Sequence, residues 1–218
     1  MRSSSLLTTQ FLAASTSLML LIGCGVQEPH QDYDLQGYYT RNSVWPKKEL
    51  VVCWQNTPGS EYVNEKAWVK ARITVTWQKH SGLRFSGWDE CQIFRDEDIQ
   101  IEINNNERPQ TIGLGSNMDV MYLNFQLDKY FGQACVSNNR NCIESTAIHE
   151  FGHAAGINHE HLRADNPTPS CSPTSGGTVG DETVGSYDPD SIMNYCNNMS
   201  YTNRLSNGDI QTIRTLYP

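Results

Sequence analysis

Apolar positions recur along this chain in several registers, and each register predicts an element. Residues 98–104 alternate, with Ile99, Ile101 and Ile103 on one side and polar residues on the other, the period-two signature of a half-buried strand. Leu50, Val51, Val52, Cys53 and Trp54 form an unbroken apolar run instead, a buried strand closed by a turn at Thr57-Pro58-Gly59. Residues 83–86 and 120–125 are two further strand candidates. Gly113-Leu114-Gly115 precedes the second of these, where a bulge or the close approach of another backbone is easy.

Helical spacing dominates elsewhere. Ser60 can cap a helix over residues 61–79 whose buried face is either Val63, Ala67, Val69 and Ile73 or Trp68, Ala71 and Val75, with Ser81-Gly82 ending it. Asn141 followed by Glu144 matches a capping box, opening a helix that carries Ile143, Ala147, Ile148 and Phe151 and stops at Gly156. A last helix, capped at Leu205-Ser206, puts Ile210, Ile213, Leu216 and Tyr217 on one face. Residues 25–43 are polar and aperiodic and read as a tether or short pro-segment, so the domain is expected to begin near Trp45-Pro46. Residues 166–185, rich in Pro, Ser, Thr and Gly, read as a long loop.

Composition narrows the class. With 218 residues, 38% hydrophobic, the chain suits one globular domain with a real core, taken here as residues 45–218, and a monomer is expected. A net charge of -8 without a basic run disfavours nucleic acid, which needs a clustered positive surface. Residues 1–23 change the picture more. Arg2 precedes a short apolar segment, Phe11 to Ile22, that is too brief for a membrane span and suits a secretory signal. It ends in Leu21-Ile22-Gly23-Cys24, which resembles a bacterial lipobox and implies that Cys24 becomes the lipidated first residue and the membrane anchor. An ordinary signal peptide with an incidental Cys is the alternative. The other six cysteines suit disulfides in an exported chain; of the 15 possible pairings, closeness suggests Cys135 with Cys142 and Cys171 with Cys196, leaving Cys53 with Cys91.

Candidate chemistry lies on the Gly156-terminated helix. His149 and His153, four residues apart, project from one helical face about 40° apart, so both imidazoles can reach one ion. Glu150 stands beside the first and can take a proton from a zinc-activated water. Three protein ligands with an open fourth position define a catalytic rather than a structural zinc site. Gly156 can reverse the chain so that His159 returns as the third ligand. The short His-Glu-x-x-His pattern arises by chance in about one chain of this size in a few hundred; the added Gly and His lower that to about one in 10⁵.

The run from His149 to His159 matches the extended zinc motif of the metzincins at every fixed position. That resemblance implies a Met-containing turn beneath the zinc, for which Met193, in Ser191-Ile192-Met193-Asn194-Tyr195, is the candidate. Glu160, Arg163 and Asp165 after the third His, and Tyr195 after the Met, are similar to the astacin family; Leu205-Ser206-Asn207-Gly208-Asp209-Ile210 looks more like matrixins. The resemblance implies an α/β (α+β) metzincin fold with a twisted N-terminal sheet, an active-site helix and a smaller irregular C-terminal subdomain. It implies a zinc endopeptidase whose Glu150 is the general base, whose Tyr195 stabilises the oxyanion, and whose peptide substrate pairs with a sheet edge near residues 113–122. Asn194 departs from the His common in that turn, and no clear zinc-blocking aspartate is evident, although Asp32 and Asp34 lie in the right region. The alternatives are a latent enzyme with Cys24 as a thiolate stopper, a zinc-binding lipoprotein without catalysis, and a purely structural envelope lipoprotein.

Overall fold

The apolar run at residues 50–54 becomes the inner strand that organises the sheet. The structure is a computed structural model and describes residues 37–55, 60–92, 97–168, 180–197 and 202–218. The signal peptide, Cys24, Asp32, Asp34, the turn at Thr57-Pro58-Gly59 and Cys171 lie outside the described residues.

Strand β1 is Gly37–Tyr39, β2 Glu49–Trp54, β3 Arg84–Glu90, β4 Ile99–Ile103, β5 Gln110–Thr111, β6 Met121–Leu123 and β7 Glu182–Val184. Five of them form a sheet in the order β3-β2-β4-β6-β5, in which only β5 runs antiparallel to its neighbour. The expected alternation in β4 is present, with Ile99, Ile101 and Ile103 all buried. β3 extends past the predicted Ser86 to Glu90, and the register slips opposite Val52 and Cys53. Gly87 (φ +83°) makes the slip possible, because a Cβ there would stand 2.7 Å from the Val52 carbonyl oxygen. Trp88 follows at φ 71° and stacks on Phe151 at 5.6 Å, a core contact that outweighs the backbone strain.

Helix α1, Val63–Ile73, continues as a π-helical turn through Gln78. Neither predicted face is the buried one in full: Val63 and Val75 are exposed, and the buried stripe is Val69, Ile73 and Trp77. Nor does Ser60 cap it. Tyr62 occupies that position in the left-handed conformation, held by its edge-on ring contact with Phe125 and a hydrogen bond from Asn105 to its hydroxyl. Short helices α2 (Asp128–Phe131) and α3 (Gln133–Ser137) lead into α4, Asn139–Ala154. The cap of α4 is Asn138, whose side chain accepts from the Asn141 amide. Asn141 and Glu144 do not form the expected box, because Glu144 is taken by Arg72 and Arg140.

From Cys142 to Ala154 every residue of α4 is buried. Such a helix shows no amphipathic stripe, since its polar side chains are enclosed by protein rather than turned to water. Its C-terminal carbonyls are satisfied from several segments. Gly156 (φ +86°) and Ile157 close a Schellman motif onto His153 and Gly152, the Trp45 indole donates to Ala154 at 2.7 Å, and the Tyr217 hydroxyl donates to Ala155 at 2.9 Å.

Residues 37–44, expected in the tether, are built into the fold. β1 pairs antiparallel with β7, itself inside the predicted loop, and Tyr39 bridges to Ile157. Among the described residues the fold therefore includes the segment from Gly37 onward. Gly115 is a close approach of the kind expected there: a Cβ on it would stand 1.7 Å from the Ser43 carbonyl oxygen. Helix α5, Asn207–Leu216, is capped by Ser206 in a reciprocal box with Asp209 and buries Ile213 and Tyr217. Disulfides Cys53–Cys91 and Cys135–Cys142 are formed as expected. Cys196 is also disulfide-bonded, while its expected partner, Cys171, is not described.

Candidate metal centre

His149 and His153 occupy successive turns of α4, and the Schellman turn at Gly156 sends the chain back beneath them. The return is guided by β1: the Asn158 amide donates to the Tyr38 carbonyl at 2.7 Å, and the Asn158 side chain donates to the Thr40 hydroxyl at 2.8 Å. His159 thereby meets the other two. Its Nε2 lies 3.2 Å from that of His149 and 3.0 Å from that of His153, and the ligand atoms of all three fall within 4.8 Å of one another.

The outer nitrogens fix the tautomers of two rings. His149 Nδ1 is 2.8 Å from the Ile192 carbonyl and His153 Nδ1 is 2.9 Å from the Ile157 carbonyl. Each Nδ1–H therefore donates outward, leaving the Nε2 lone pair for a metal. Burial pushes His149 down to about 4 and His153 down to about 3, so both are neutral at physiological pH. Three imidazoles suit zinc, whose bonds to nitrogen of about 2.0–2.1 Å in a tetrahedron place the ligands about 3.3 Å apart. The two distances from His159 Nε2, 3.2 and 3.0 Å, are close to that requirement.

Two further groups face the cluster. The Tyr195 hydroxyl stands 3.2 Å from His149 Nε2, and its ring stacks between His149 and His161, with centroids at 5.2 and 4.9 Å. Burial, and then the facing charge of Glu150, push the phenol well above its ordinary value. Glu150 itself is buried, and this raises its carboxyl to about 8, opposed by hydrogen bonds from the hydroxyl and amide of Thr111. A dication beside it would favour the charged form.

Met193 is fully buried, its side chain against Gly152 of α4. Its turn is held by Asp209, which accepts from the Ser191 hydroxyl (2.7 Å), the Ile192 amide (3.0 Å) and the Ser206 amide (2.9 Å). Arg163 braces the other side through a bidentate pair with Asp165 and hydrogen bonds to the carbonyls of Gly37, Val184 and Gly185. Glu160, beside it, accepts from the Asp188 amide at 2.8 Å.

The structure thus gathers His149, Glu150, His153, His159, Met193 and Tyr195 in one place; Cys24 lies outside the described residues. The sheet edge differs from expectation. β6 is paired on both sides, so the edge strand on that side of the sheet is β5, Gln110–Thr111, because the chain folds back as a hairpin at Gly113. Thr111 was not evident in the sequence, which carries no local signal for it. Asp209 had one, the Ser-x-x-Asp spacing from Ser206.

Fold and site together place a three-histidine centre on a buried helix beside a mixed five-stranded sheet. Solved structures of that shape include two of myroilysin, 22% and 19% identical, with TM-scores of 0.55 and 0.52; the matches cover 84% and 86% of this chain and 98% and 92% of theirs. Another is high choriolytic enzyme 1, a hatching enzyme zinc-protease from the medaka fish Oryzias latipes, 15% identical, with a TM-score of 0.50 over 84% of this chain and 94% of that one. At these identities the likeness is one of fold, and it agrees with the expected class. No protein-family profile and no curated protein matches the chain.

Proposed function

We propose that this chain is an astacin-like zinc endopeptidase that hydrolyses peptide bonds of extracellular or envelope proteins. The observation that carries the reading is the convergence of three Nε2 atoms with the Glu150 carboxyl and the Tyr195 hydroxyl in one buried cluster. His149, His153 and His159 would hold the ion. Zinc, when bound there, supplies a Lewis acid that polarises a peptide carbonyl and lowers the pKa of water to about 7.

The protein's own groups do the rest. A substrate strand adds to the outer edge of β5, which aligns its backbone along the cleft. Glu150 takes the proton of the attacking water and returns it to the departing amine. Tyr195 donates its hydroxyl proton as a hydrogen bond to the oxyanion. Disulfides support export from the cytoplasm, and the lipobox-like segment supports a lipid anchor at Cys24 on a monomeric enzyme. Residues 1–23 would be the signal, with the sequence from Cys24 joining it to the body.

The test uses the full chain. Purified protein should carry one zinc per molecule and cleave labelled casein, and Glu150→Gln should keep the zinc while losing the cleavage. Full activity in the variant would overturn the mechanism, and absence of stoichiometric zinc in the wild type would favour a structural lipoprotein.

A further inference from the structure

We infer that Thr111 is a positioning residue for Glu150, fixing the plane of its carboxylate from the strand on which a peptide substrate would dock. The inference rests on the reading of Glu150 as the general base. The terminal torsion of a glutamate is broad, so burial of the side chain alone does not settle where its two oxygens point. Thr111 does. Its hydroxyl lies 2.8 Å from Oε2 and 3.3 Å from the Glu150 carbonyl oxygen. A hydroxyl has one proton to donate, and the shorter contact to the carboxylate takes it. The Thr111 amide also donates to this carboxylate, so hydroxyl and amide together set its plane, and the hydroxyl is the part of that hold which a side-chain substitution removes.

The location adds a second consequence. Thr111 ends the short edge strand β5, whose inner side pairs with β6 and whose outer side is the edge of the sheet. One piece of backbone therefore sets both the register of a docked peptide and the attitude of the base. Misplacement by an ångström at a reacting group costs large factors in rate, which gives this contact leverage out of proportion to its size.

Five variants of the full chain, each checked for zinc content, test this with a quenched fluorescent peptide that the wild type cleaves. Thr111→Val keeps the shape and β-branching but lacks the hydroxyl, and is expected to lower kcat about tenfold or more with KM changed by less than about twofold. Thr111→Ala should fall similarly, and Thr111→Ser, which retains the hydroxyl, should recover most of the rate. Adding Thr111→Val to Glu150→Gln should change nothing further. Wild-type kcat in Thr111→Val overturns the inference, as does a loss that Thr111→Ser fails to restore, since packing would then be the cause. An inactive Glu150→Gln beside a fully active Thr111→Val leaves the reading of Glu150 standing and removes only this inference. Activity surviving in Glu150→Gln removes both.

Discussion

Gly152 leaves the space that Met193 fills: a Cβ on this glycine would stand 2.4 Å from the methionine sulfur and 3.2 Å from Cζ2 of Trp77. Gly152→Ala should therefore destabilise the protein although it removes a helix-interior glycine. Overpacking costs about 1–3 kcal/mol, against about 1 kcal/mol gained in helix propensity. Met193 is fully buried, so its thioether must shift against packed neighbours to admit the methyl group. Calorimetry should show a lowered Tm, and chelator competition should show weaker zinc binding. An unchanged Tm would mean that the methionine turn yields without cost.

Tyr195→Phe removes a hydroxyl and little else, because the ring stack on His149 and His161 persists. The expected loss is about 100-fold in kcat, the scale of a missing oxyanion donor, with KM and zinc content near wild type. Steady-state kinetics on one peptide decide it. A change in KM alone would assign the tyrosine to substrate binding.

Glu144 should give the protein acid-sensitive stability. Burial would raise its carboxyl, but hydrogen bonds from Arg140 (2.8 Å) and Arg72 (2.6 Å), joined by Asn203 (3.0 Å), hold it below its ordinary value. A carboxyl depressed on folding binds fewer protons in the native state, so its contribution is complete above the ordinary value of 4.5 and is lost as pH falls through the lower folded value. Glu144→Gln should cost about 2 kcal/mol at neutral pH and flatten the acid limb of the stability curve. Urea titrations of both proteins between neutral and acidic pH would expose any failure, seen as parallel curves.

Cys24 gives the third kind of test. Mass spectrometry of the mature protein from membranes should find Cys24 as the first residue, carrying diacylglycerol. An unmodified Cys24 within a longer N-terminus would remove the anchor and reopen the thiolate stopper.

What could be read from the chain divides along physical lines. The spacing of His149, His153, Gly156 and His159 is set within one helix and its exit, so local geometry sufficed to find the centre. The Ile99, Ile101 and Ile103 alternation and the Ser206 cap are likewise local and came through. β1 did not, because Gly37–Tyr39 is a strand only by virtue of β7, nearly the whole domain away in sequence. Tyr62 and Asn138 displaced the expected caps for the same reason: Phe125 and Asn105 fix the first, while Arg72 and Arg140 claim the glutamate needed for the second. Thr111 is the limiting case. Its role exists only where β5 passes Glu150, and no pattern around it encodes that meeting.

Two of the five tryptophans are bonded to the helix that bears His149 and His153. Trp77 donates to the Ile148 carbonyl at 2.8 Å, one residue before the first histidine, and Trp45 donates to Ala154 at 2.7 Å, one residue after the second. The protein thus carries its own optical gauge. Indole emission, sensitive to hydration and hydrogen bonding at both ends of the ligand pair, will register whether that helix is seated, with no label added and no substrate needed.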